Sequence, residues 1–112
     1  MSKSSHGRAL ETMAKHPDKF GITQVVSYSI EETLFDQEKI LAQPDLIFYC
    51  KSGDYYILEY KGDGNGEILE RATLQLSHAL WWFGKYRSEI PPSKIHSRLV
   101  TNEELKKLGL LR

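Results

Sequence analysis

Pro44-Asp45-Leu46-Ile47-Phe48-Tyr49-Cys50-Lys51-Ser52-Gly53-Asp54-Tyr55-Tyr56-Ile57-Leu58-Glu59-Tyr60-Lys61 is the stretch around which the rest of the chain is organised. Two apolar, β-prone runs flank a glycine turn, the pattern of a β-hairpin. Charges interrupt the runs where buried strands carry none: Asp45 opens the first, and Glu59 and Lys61 sit two apart in the second. In a strand, residues two apart share a face, so Glu59 and Lys61 point the same way. A purely structural strand would be better served by Val or Thr at both positions.

The turn decides whether Asp45 joins them. A two-residue loop, Ser52-Gly53, sets Asp45 opposite Tyr60 and sends it to the other face. A three-residue loop, Lys51-Ser52-Gly53, places the glycine third, where the common three-residue hairpin needs a left-handed residue. Cys50 then faces Asp54, and Asp45 falls opposite Glu59. Two carboxylates so placed repel one another. A divalent cation between them, with Lys61 alongside, makes the arrangement sensible, and the three-residue loop is the reading adopted. The competing reading is a salt-bridged Glu–Lys pair on a solvated strand face.

Pro44-Asp45, thirteen intervening residues, then Glu59-Tyr60-Lys61 resembles the PD-(D/E)XK nuclease superfamily. That superfamily includes type II restriction enzymes, RecB-like nucleases and archaeal Holliday-junction resolvases. The resemblance implies that Asp45 and Glu59 bind Mg²⁺ or Mn²⁺ and that Tyr60 lends its backbone carbonyl to the metal. Lys61 then positions or activates the attacking water. The resolvases' first helix carries a Gly-x-x-x-Glu pattern whose Glu joins the metal site; Gly7 and Glu11 match it, making Glu11 the third expected carboxylate. Gln75-Leu76 is similar to the helix that follows the catalytic strand in RecB-like nucleases, where a Gln contacts the site or the DNA. The Tyr that usually follows four residues later is replaced by Ala79.

The 112 residues suffice for one domain, read as spanning 1–112, with a modest core and three or four strands. Fifteen acids balance fifteen bases, so no global field attracts nucleic acid, although basic residues can cluster once folded. The lone cysteine, Cys50, permits neither an internal disulfide nor a zinc cluster and reads as core. No apolar leader and no membrane-length run is visible, from which a soluble, intracellular, cytoplasmic protein without membrane partners is expected.

Outside the hairpin, residues 5–16 read as a short helix capped by Ser4 or Ser5, with Ala9, Leu10, Met13 and Ala14 on its apolar side and Pro17 and Gly21 ending it. Ile22 to Phe35 reads as one strand bent near Ser27–Ser29. Its Glu31 and Glu32 are rival carboxylates for the metal site, read instead as solvated strand-end residues. Asp36 to Gln43 reads as a loop or one helical turn. Gly62, Gly64 and Gly66 break the strand after Lys61, without the ending of a phosphate-binding P-loop. Glu67 to Tyr86 is the strongest helix, with Leu69, Ala72, Leu76, Ala79, Leu80 and Phe83 inward and Gln75 between Ala72 and Ala79. Of Trp81 and Trp82, one reads as core and the other as reaching a partner chain or a base. Lys94 to Thr101 reads as a strand, and Thr101 to Leu108 as a terminal helix stopped by Gly109. His78 and His96 have no second ligand at metal spacing.

The order matches the αβββαβ core implied by the resemblance: α/β, a restriction-endonuclease-like fold with a small mixed sheet and helices on both sides. The first three strands are expected antiparallel and the fourth to enter by a crossover. The implied activity is a Mg²⁺-dependent endonuclease hydrolysing DNA, with branched DNA as the resolvase-like substrate and a homodimer, joined through the tryptophans, as the format. The alternative is a non-catalytic nucleic-acid- or protein-binding module on the same fold.

Overall fold

The computed structural model describes residues 5–62 and 66–111. Ser4 and residues 63–65, Gly64 among them, therefore lie outside the described residues. Helix α1 (Ser5–Lys15) buries Leu10, Met13 and Ala14, the stripe its apolar spacing predicts. A 3₁₀ turn, Pro17–Phe20, follows and ends at Gly21, whose left-handed φ of 74° lets its N–H close on the Asp18 carbonyl.

Four strands form the main sheet in the order β1 (Val25–Ile30), β4 (Leu46–Cys50), β5 (Tyr55–Lys61), β6 (Ile95–Thr101). The first three are antiparallel, and β6 lies parallel to β5, reached through the crossover helix α2 (Gly66–Tyr86). Helix α3 (Asn102–Lys107) starts directly after β6, its first turn capped by Thr101 Oγ1 accepting from Glu104 N–H.

The hairpin register is the one its turn chemistry predicts. Leu46 pairs with Leu58, Ile47 with Ile57, Phe48 with Tyr56 and Tyr49 with Tyr55. Gly53 holds φ 92° at the third loop position, and Cys50 N–H donates to the Asp54 carbonyl. The two faces then separate into two cores. Leu46, Phe48, Cys50, Leu58 and Tyr60 pack with Leu10 and Met13 of α1 and Leu105 of α3. Ile47 and Ile57 pack with Leu76, Ala79 and Phe83 of α2. Helices thus cover both sides of a small mixed sheet, which is why β4 and β5 read as almost unbroken apolar runs.

Two expectations are corrected. Ile22 to Phe35 is not one strand, and Asp36 to Gln43 is neither loop nor helical turn. β1 stops at Glu31, which takes φ 54°; β2 (Leu34–Asp36) and β3 (Lys39–Ala42) then pair as a separate hairpin packed on α2. Its turn carries no Gly or Pro; Gln37 itself adopts φ 57°, so the usual turn signal is missing from the letters. The bend expected near Ser27–Ser29 is a register shift between Val25 and Ser27. On α2 the buried stripe is Ala72, Leu76, Ala79 and Phe83; Leu80 is 37% exposed and Gln75 faces solvent, contrary to their inward placement. Among the described residues no helix is long and apolar enough to cross a membrane.

Candidate active site

The hairpin register carries one residue further and sets Asp45 opposite Glu59 at the open end of the hairpin. Both are buried, at 7% and 2% exposure, the two charged side chains so placed among the described residues. Asp45 precedes β4, and its carboxylate is clasped by β5: Oδ2 accepts from Tyr60 N–H at 2.7 Å. Its carbonyl accepts from Glu31 N–H at 2.9 Å, which anchors the end of β1 to the same point. Burial pushes the Glu59 carboxyl up to about 9, and a hydrogen bond to the Asp45 carboxylate and that group's charge push it the same way. Lys61 and the Asp45 backbone N–H oppose the shift without cancelling it. At neutral pH the Glu59 carboxyl therefore keeps its proton. Glu59 Oε2 is nonetheless buried with no hydrogen-bond partner among the described residues. An orphaned carboxyl oxygen beside a second carboxylate is costly in a core and is the environment a divalent cation relieves.

Lys61 is half-buried at the last position of β5, level with Thr101 of β6. The residues on either side of it are tied to Asn102: Tyr60 Oη donates to Asn102 Oδ1, and Asn102 N–H donates to the Gly62 carbonyl at 3.3 Å. A Cβ on Gly62 would stand 3.2 Å from Asn102 Nδ2, so glycine allows this close approach. Lys61 lies between two open cavities. One, of about 650 Å³, is walled by His6, Arg8, Tyr60 and Asn102; the other, of about 340 Å³, by Arg71, Leu74, Gln75 and His78. Gln75 lines the same cleft as Lys61, but on its open rim and not on the inner face expected. The reason is rotation: it sits about 100° from Leu76, which takes the buried stripe.

Helix α1 delivers His6 to the pair. Its Nε2–H donates to Asp45 Oδ1 at 3.3 Å, and its ring lies 5.5 Å from that of Tyr60. The sequence reading missed this residue, although His6, Leu10 and Met13 fall at i, i+4 and i+7, the spacing of one buried stripe. Glu11, one residue past Leu10, turns off that stripe and is half-buried. Among the described residues no three His, Cys, Asp or Glu side chains are grouped to hold a metal ion, so Glu11 is not gathered onto Asp45 and Glu59.

The remaining candidates lie elsewhere. Glu31 and Glu32 are exposed. His96 Nε2 meets Asp54 Oδ1 at 2.9 Å and stacks on Tyr56 at the turn end of the hairpin, away from Asp45. Trp82 packs on Phe83 and donates its indole N–H to the Phe35 carbonyl, whereas Trp81 is 51% exposed. Two carboxylates with one lysine suit Mg²⁺, which is held through one or two carboxylates and otherwise keeps its waters. No protein-family model, curated protein or solved structure matches this chain.

Proposed function

We propose that this chain is a Mg²⁺- or Mn²⁺-dependent endonuclease of the PD-(D/E)XK kind, hydrolysing DNA phosphodiester bonds. The observation that carries the reading is the buried Asp45–Glu59 pair, with its orphaned Glu59 oxygen, beside a lysine that opens onto two clefts. Asp45 and Glu59 would hold the cation, with the Tyr60 carbonyl as the further oxygen the resemblance implies. A bound Mg²⁺ supplies a lowered water pKa and charge stabilisation at the scissile phosphate. His6 fixes the Asp45 carboxylate by hydrogen bond, and the Tyr60 N–H fixes it from the other side. The Lys61 ammonium orients the attacking oxygen and neutralises charge gathering on the phosphate. Gln75 hydrogen-bonds the substrate backbone from the cleft rim. A homodimer acting on branched DNA is the format proposed.

The test is cleavage of four-way junctions, flaps, linear duplex and single strands by wild type and Glu59→Gln, with Mg²⁺, Mn²⁺ or EDTA. Metal-dependent cutting by wild type, lost in a folded Glu59→Gln protein, is expected. Equal activity of the two proteins identifies a contaminant and ends the proposal. One observation favours a second reading, a non-catalytic binding module: no third metal-ligating side chain joins the pair among the described residues. Such a module would show no gain in melting temperature with Mn²⁺.

A further inference from the structure

Arg71, Leu74, His78, Trp81 and Lys85 recur at three- and four-residue spacing and so lie along one side of α2. All but His78, which is half-buried, are exposed. The stripe begins at the catalytic end of the sheet, because Arg71, Leu74 and His78 line the cleft shared with Lys61 and Gln75. It runs to Trp81, about 10 Å further along the helix axis than Leu74. The Lys85 ammonium lies 5.0 Å from the centre of the Trp81 ring. The two tryptophans do different work: Trp82 turns to the β2–β3 hairpin, and Trp81, about 100° round the helix, opens to solvent.

We propose that this stripe carries the unpaired strand flanking the Lys61 site, with Trp81 as the platform on which a base stacks. The inference rests on the nuclease reading and adds a substrate class to it: DNA with a single-stranded segment next to the cut. Two features select a nucleic-acid strand as the occupant. The apolar surface on the stripe is narrow and interleaved with Arg71, His78 and Lys85, as anionic backbones require of stacking grooves. It is also continuous with the cleft at Lys61. Glu67 at 2.9 Å from Arg71 and Asp36 at 2.9 Å from Lys85 form solvent-exposed or half-exposed pairs that exchange for phosphate at little cost. A duplex keeps its base faces stacked on each other, so only an unpaired base can use Trp81.

The experiment measures binding of a fluorescent 20-nucleotide oligothymidylate and of a blunt 20-bp duplex by anisotropy. Wild type, Trp81→Ala and Trp81→Phe are compared with Ca²⁺ in place of Mg²⁺, and the fold is checked by thermal unfolding. Trp81→Ala is expected to weaken the single strand at least about fivefold, with Trp81→Phe within about twofold of wild type and the duplex unmoved. Wild type that binds the single strand while Trp81→Ala binds it equally well overturns the stripe and leaves the nuclease reading standing. A uniform loss on both DNAs overturns the single-strand assignment. Wild type that binds neither DNA in Ca²⁺ overturns both proposals. Self-association that Trp81→Ala abolishes, with DNA binding unmoved, makes the stripe a contact between two copies and refutes the inference.

Discussion

Glu59 gives the most direct physical test, because its burial makes the fold depend on pH in a calculable direction. In the metal-free protein its carboxyl is raised to about 9 from an ordinary value of 4.5. Between those values the folded state holds a proton that the unfolded state has released. Stability therefore falls as pH rises, by about 1.4 kcal/mol per unit for a single group. The contribution is fully present below pH 4.5, declines through the neutral range and is lost above about 9. From pH 5 to pH 8 the loss is about 4 kcal/mol at most, a large share of the 5–15 kcal/mol typical of a small domain. Glu59→Gln removes this titration while keeping side-chain size. The assay is urea unfolding of both proteins in EDTA at pH 5, 6.5 and 8. The quantity of interest is the difference in pH slope, not the absolute stability. Wild type should lose stability against Glu59→Gln across this range. Adding Mn²⁺ at pH 8 to about 100 times its dissociation constant should restore about 2.7 kcal/mol to wild type alone, and less at pH 5, where protons compete. Parallel slopes for the two proteins, differing by under about 0.3 kcal/mol per pH unit, would falsify the raised Glu59 carboxyl and with it the metal site built on that group.

Other consequences are more local. Lys61→Met should abolish cleavage while leaving the Mn²⁺-induced rise in melting temperature in place, since Lys61 is not a metal ligand; loss of the metal response as well would place it in the ligand set. Asn102→Ala removes the acceptor of the Tyr60 Oη hydrogen bond and loosens the exit of β5. A loss of about 1–2 kcal/mol by denaturant unfolding is expected, and kcat should fall more than KM because Lys61 is held less firmly. Gly53→Ala forces a side chain to φ 92° and should cost about 1 kcal/mol or more, read from urea midpoints. An unchanged midpoint would mean that the turn can relax.

The hairpin and the placement of its charged residues were legible in the letters because strand geometry is local. A period of two fixes which residues share a face, and one glycine with left-handed φ fixes the loop length. Asp45, Glu59 and Lys61 follow from those two facts alone. The same holds for α2 and for the parallel placement of β6, which a long helix between strands compels. What lay beyond the sequence was set by packing between distant elements. His6 meets Asp45 because the rotation of α1 over the sheet is fixed by where Leu10 and Met13 bury. Gln75 went to a cleft rim because Leu76 claimed the inner stripe. The β2–β3 hairpin formed without a turn signal because α2 offers Leu34 and Ala42 a surface to bury against. Asn102, read only as part of a helix start, became the anchor of the residues flanking Lys61, through contact with Tyr60 of β5, 42 residues earlier in the chain. Local backbone rules decided the register; the burial of apolar faces from remote elements decided which side chains meet.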